Sequence, residues 1–199
     1  MLSIRIHYNT YGSEKYFRGD MLTILYGPSC VGKTTLIKHL ISDYGWQSIS
    51  CYITRPVRSS DIRRVSVTKK EFKKLEEENF FHCVNHHFEA SYGTPKNELV
   101  DSAKSCADRF VLDFMLKNYF QLEPFEHKKI IVLPESIENL KLQIDGSDRS
   151  NRYESILKDI EENYSEEKLT FYKDNGFKIL VTRFNNIAAT LNDFMEIHI

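Results

Sequence analysis

Eight consecutive residues, Gly27-Pro28-Ser29-Cys30-Val31-Gly32-Lys33-Thr34, fit the spacing G-x-x-x-x-G-K-[ST]. Each position has a chemical use. Gly27 and Gly32 let the backbone wrap closely around phosphate oxygens, so that the amides of Ser29, Cys30 and Val31 point inward as a nest. A helix starting near Thr34 and running on through Thr35 adds its unpaired N–H groups and its dipole. Lys33 reaches the transferable phosphates, and the Thr34 hydroxyl is a ligand for Mg²⁺. A plain turn has no use for an ammonium aimed into it. The loop predicts a nucleoside triphosphate site that works with Mg²⁺.

The elements needed to position this loop are legible around it. Met21–Tyr26 is a short apolar run ending at Gly27 and Pro28, as a buried strand ends in a loop, and Thr34–Ile41 reads as a helix. Ser48–Ile53 is a second strand candidate. Thr68 with Glu71 forms a capping box ahead of a helix over Lys69–Glu78. Phe110–Phe114, Lys129–Leu133 and Lys178–Val181 are further apolar strand candidates. Tyr153, Ile156, Leu157, Ile160 and Tyr164 mark one helix face. Strands separated by helices predict an α/β fold: a parallel P-loop sheet flanked by helices, with its ligand at the strand ends. Residues 1–20 precede that core as an appendage, with Leu2, Ile4, Ile6 and Tyr8 alternating as in the first arm of a hairpin.

Composition narrows the function classes. The 199 residues carry 27 Lys+Arg against 28 Asp+Glu, a net charge of −1, and 41% are hydrophobic. That suits one globular domain with some elaboration, and it argues against a nucleic-acid coat or an anionic-membrane binder. No apolar run approaches the roughly 18–20 residues that span a bilayer, and Met1–Thr10 has no signal-peptide core. The expectation is a cytoplasmic protein with no membrane or nucleic-acid partner. Cys30, Cys51, Cys83 and Cys106 are widely spaced, as in reduced thiols. His82, Cys83, His86 and His87 hold four potential metal ligands in six residues, but Phe80, Phe81, Val84 and Phe88 among them read as strand and loop packing.

Further motifs resemble those of the guanylate kinase family, P-loop enzymes that move a phosphoryl group from ATP to GMP. Gly27 to Leu36 is similar to its G-P-S-G-x-G-K-[ST]-T-L, with Cys30 in place of a glycine. Thr54-Arg55-Pro56-Val57-Arg58 resembles T-R-x-P-R, and Tyr92-Gly93-Thr94 resembles Y-G-[ST]. Val111-Leu112-Asp113 and Leu133-Pro134-Glu135-Ser136 with Leu140 resemble two more of its motifs. The resemblance covers residues 21–199 and implies an acceptor-binding region over about 55–95 and a lid over about 145–153. It implies that Arg55, Arg58 and Tyr92 grip the phosphate of a small phosphorylated acceptor, with Thr94 beside them. Two guanidinium forks and a phenol are chemically suited to that task. It also implies that Asp113 holds Mg²⁺, directly or through water, and that Arg149 or Arg152 neutralises charge on the transferring group alongside Lys33 and Arg55.

The departures concern the acceptor's base. The family reads guanine with a Ser, a Glu and an Asp, and those positions become Cys51, Cys83 and Met115 here. Sulfur cannot replace carboxylates as acceptors of charge-assisted hydrogen bonds. Two other functions therefore stand beside GMP phosphorylation. One is a kinase of a phosphorylated sugar, resembling the ribose bisphosphate phosphokinases, with His86, His87 and Glu89 as donors and acceptors for hydroxyls. The other is a non-catalytic guanylate-kinase-like interaction module, against which intact Lys33, Thr34 and Asp113 weigh. Oligomeric state is not legible.

Overall fold

Leu22–Tyr26 is buried along its whole length, which is why it reads as an almost wholly apolar run rather than an alternating one. The computed structural model of the protein describes residues 22–87, 89–105, 107–145 and 153–198. The expected N-terminal hairpin, Cys106 and the segment bearing Arg149 and Arg152 lie outside these residues. In chain order the strands and helices begin with β1 (Leu22–Tyr26), α1 (Lys33–Tyr44), β2 (Gln47–Ser48), β3 (Cys51–Ile53), β4 (Arg64–Ser66) and α2 (Lys69–Glu77). Then follow β5 (Phe81–His87), β6 (Ala90–Pro95), α3 (Lys96–Lys104), β7 (Phe110–Asp113), a 3₁₀ segment (Leu116–Leu122) and β8 (Lys128–Pro134). The last are α4 (Ile137–Asp145), α5 (Tyr153–Asn163), α6 (Glu166–Asp174), β9 (Phe177–Thr182) and α7 (Ile187–His198).

A five-stranded sheet has the order β2-β7-β1-β8-β9, and its pairings β2–β7, β1–β8 and β8–β9 are parallel. Its core is Ile24, Leu25, Tyr26, Val111, Leu112, Ile130, Ile131, Val132 and Leu180, all buried. Helices α6 and α7 pack on β9. This is the expected α/β class, and each parallel strand foreseen from its apolar run is present.

A second sheet was not legible. It is four-stranded in the order β4-β3-β6-β5, with β3–β4 parallel and β3–β6 and β5–β6 antiparallel. The single strand expected over Ser48–Ile53 is accordingly two. Ile49 N–H still donates to Val111 O at 3.2 Å, whereas Ser50 N–H donates to Glu98 Oε2 at 2.8 Å and the chain enters the other sheet at Cys51. The capping box at Thr68 is formed, Glu71 N–H donating to Thr68 Oγ1 and Thr68 N–H to Glu71 Oε2. Strand alternation in β5 puts Cys83 and His87 on one face and His82 and His86 on the other, so the four potential metal ligands diverge.

By its internal contacts the chain forms two units. One is built from Trp46–Val111 and Asn118–His127, the other from Thr23–Gly45, Leu112–Lys117 and Lys128–Ile199. Each carries one cluster of the candidate residues.

Candidate active site

The phosphate loop belongs to the Thr23–Gly45 unit. Gly27 has φ +144°, and a Cβ there would lie 2.3 Å from the carbonyl oxygen of Val132, so no other residue fits between the loop and β8. Gly32, at φ +90°, precedes α1 and accepts from Leu36 N–H at 2.9 Å. Cys30 also lies in the left-handed region, at φ +66°. A side chain is strained there, which explains why a glycine suits that position. Val31 is buried; Ser29, Cys30 and Thr34 are half-buried, and Thr35 is exposed.

No side chain caps the N-terminus of α1, and its first turn holds no acidic residue. The dipole and amides at that end are not countered by a carboxylate of the helix itself, which suits an anion site. Lys33 is only 8% exposed, and its Nζ donates to the carbonyls of Gly27 at 2.8 Å and Pro28 at 2.7 Å. The same ammonium lies 3.8 Å from Asp113 Oδ1 at the end of β7. Lys33, Thr34 and Asp113, singled out from separate stretches of sequence, thus belong to one unit, and Lys33 meets Asp113 directly. Tyr164, in the same unit, is buried; burial, then Asp159, Tyr172 and Asp113, push its hydroxyl well above the usual tyrosine range. Nothing in its helical spacing marks it as more than an apolar-face residue.

The motif around Ser136 proves to be a helix start. Ser136 Oγ accepts from Asn139 N–H at 3.1 Å, and Leu140, four residues on, is fully buried.

The second cluster lies in the other unit. Arg55 Nη1 and Nη2 donate to Asp61 Oδ2 and Oδ1 at 2.7 and 3.1 Å, and its Nε donates to the Tyr92 hydroxyl at 3.4 Å. The guanidinium carbon lies 5.9 Å from the Tyr92 ring centroid. Asp61 also accepts from the Arg58 backbone N–H at 2.9 Å. Its bonds raise Arg55 above the ordinary guanidinium range, against the effect of burial. Burial pushes Asp61 up, but the bonds from Arg55 and Arg58 outweigh it and hold the carboxyl below its usual range. Arg55 is therefore joined to the Tyr92 hydroxyl directly and to the Arg58 backbone through Asp61, a carboxylate that the motifs do not single out. Its spacing, three residues after Arg58 and six after Arg55, is the signal that could have found it.

Thr94 is buried, 3% exposed, and stands opposite Cys83 across the β5–β6 pair. Gly93 is fixed by packing: a Cβ on it would sit 2.7 Å from the Phe81 ring, which stacks on Phe72 at 4.8 Å. Cys51 and Cys83 are sealed, and burial, with Cys51 second, pushes the Cys83 thiol up to about 12. Cys83 is thus a neutral thiol. Met115 is half-buried in the other unit.

The guanylate kinase sequence profile matches residues 20–198. The chain belongs to the guanylate kinase family. Among its relatives, the guanylate kinase of Schizosaccharomyces pombe is 30% identical over 146 residues, which cover 69% of this chain and 71% of that protein. The guanylate kinase of Novosphingobium aromaticivorans is 27% identical over 143 residues, covering 69% of this chain and 65% of the relative, just under two thirds of its length. The crystal structure of guanylate kinase from Anaplasma phagocytophilum superposes with a TM-score of 0.65 at 17% identity, over 90% of this chain and 84% of that one. That superposition places this guanylate kinase family member in the P-loop kinase fold. Among the described residues, no helix is long and apolar enough to cross a membrane.

Proposed function

We infer that this chain is an ATP-dependent phosphotransferase that moves the γ-phosphoryl group to GMP. The observation that carries the reading is the loop itself: Lys33 seated on the loop carbonyls and facing Asp113, at an α1 N-terminus with no acidic residue of its own. That arrangement suits the polyphosphate of ATP, with Lys33 neutralising charge that develops on the transferring group.

Thr34 and Asp113 offer hard oxygen donors, neither of them sealed, in the same unit as the loop, and this donor set fits Mg²⁺. Held by Thr34 and Asp113, Mg²⁺ would neutralise negative charge on the bound polyphosphate. In the other unit, Arg55, Arg58 and Tyr92 hold the acceptor's phosphate; no covalent intermediate on the protein is needed. Arg149 complements this charge from the lid segment. The substrate is a small nucleotide, and the setting is cytoplasmic.

A second reading is favoured by one specific feature. Cys83 is a sealed neutral thiol where the family reads guanine with a carboxylate, which suits an acceptor without a guanine edge, such as a phosphorylated sugar. The test is ADP release with ATP, Mg²⁺ and a panel of GMP, dGMP, AMP, UMP and ribose phosphates. Turnover highest with GMP supports the inference. Turnover confined to a sugar phosphate supports the second reading, and no turnover with any acceptor overturns both.

A further inference from the structure

A guanidinium has five N–H donors, and a phosphate is best gripped by two of them in parallel. Four of Arg55's donors are already engaged within its own unit. Nε donates to Tyr92, Nη1 donates both to Asp61 Oδ2 and to the Pro56 carbonyl at 2.8 Å, and Nη2 donates to Asp61 Oδ1. The same carboxylate accepts from Arg58 N–H, and the Arg58 carbonyl accepts from Asp61 N–H at 3.0 Å, closing a turn. Asp61 is therefore the hub that ties one end of the T-R-x-x-R segment to the other.

We propose that Asp61 is a positioning residue, which holds Arg55 and the Arg58 turn in the arrangement that receives the acceptor's phosphate. The inference rests on reading this unit as the acceptor's phosphate site. Held in this way, Arg55 does not grip bidentately; it presents one Nη2 N–H and a fixed positive charge beside the Tyr92 hydroxyl. Fixing a long side chain before binding removes an ordering cost that each binding event would otherwise carry.

The opposite role, Asp61 as a competitor that phosphate must displace, makes the opposite prediction. The experiment compares Asp61→Asn and Asp61→Glu with the parent protein. Positioning residues of this kind typically change function by about ten- to hundredfold when altered. The expected result is an acceptor KM raised by about that factor in Asp61→Asn, an unchanged ATP KM, and partial recovery in Asp61→Glu. An acceptor KM that falls, or ATP and acceptor constants that worsen together, overturns the proposal.

A measurement on the unaltered protein stands independently of turnover. Arginine side-chain NMR during an orthophosphate titration is expected to shift the Arg55 Nε–H signal while its guanidinium stays rotationally restrained. Release of that restraint as phosphate binds contradicts the proposal. If orthophosphate behaves as expected but no nucleotide is phosphorylated, the kinase reading fails and the role of Asp61 stands.

Discussion

Replacing Cys30 with glycine should stabilise this protein, and the size of the gain follows from one backbone angle. Cys30 sits in the phosphate loop at φ +66°. An L-residue in the left-handed region is disfavoured by about 1–2 kcal/mol, because its Cβ crowds the following carbonyl. Glycine removes that crowding but gives the unfolded chain extra freedom, worth about 0.4–1 kcal/mol in the opposite direction. The net expectation is about 0.5–1 kcal/mol in favour of Cys30→Gly. For a chain of this length about 1 kcal/mol moves Tm by about 2–4 °C, so the expected rise is about 1–4 °C by calorimetry. Cys30 also has an interaction partner. Cys30→Ala provides the control, since it removes the sulfur and keeps the Cβ. The difference between the two variants isolates the backbone contribution. A Cys30→Gly protein no more stable than Cys30→Ala would refute the reasoning.

Other consequences are equally direct. Gly93→Ala should destabilise the unit containing β5 and β6 by about 1–3 kcal/mol, because its new methyl group enters the Phe81 ring, which is buried against Phe72; chemical denaturation reads this as a lower midpoint. Asp61 is held below its unfolded value, so its stabilising contribution is present above the ordinary aspartate range and is lost as pH falls through the depressed folded value. The groups facing it are Arg55, the Arg58 backbone amide and Arg64, none of which titrates in that window. Urea midpoints measured from pH 6 downward should therefore fall for the parent and fall less steeply for Asp61→Asn.

Much of the donor side of the site was legible because its physics is local. A strand covered on both faces shows as an apolar run, and a loop that wraps phosphate needs glycines at fixed positions. Gly27 meets both demands at once, since its φ and its approach to Val132 each exclude a side chain. The acceptor side was less legible because its determinants are long-range or polar. β4 is Arg64–Ser66, a polar strand with no apolar alternation, so the second sheet had no visible edge. Ser48 and Cys51 lie three residues apart and belong to different sheets, a break decided by Val111 and Glu98 rather than by any local turn signal. Asp61 lies in a polar stretch where one carboxylate reads like any other. Only the fold shows that it accepts from two arginines.

Position 83 shows the other limit. As a letter in the sequence, Cys83 signalled a missing carboxylate; the fold adds that the thiol is sealed and neutral. Loss of a polar reader in a site built for one costs orders of magnitude in discrimination. The phosphate grip proposed for Arg55, Tyr92 and the Arg58 turn, in contrast, would ask little of the base.

The most direct test of the account is steady-state GMP phosphorylation by the parent protein and by Lys33→Ala, with ATP and Mg²⁺ supplied and ADP and GDP both quantified. Equal yields of ADP and GDP are predicted for the parent. Loss of the Lys33 ammonium should lower kcat/KM by about 10²–10³-fold, as for other groups that stabilise developing charge. Parent-level GDP formation by Lys33→Ala, or ADP formed without GDP, would contradict it.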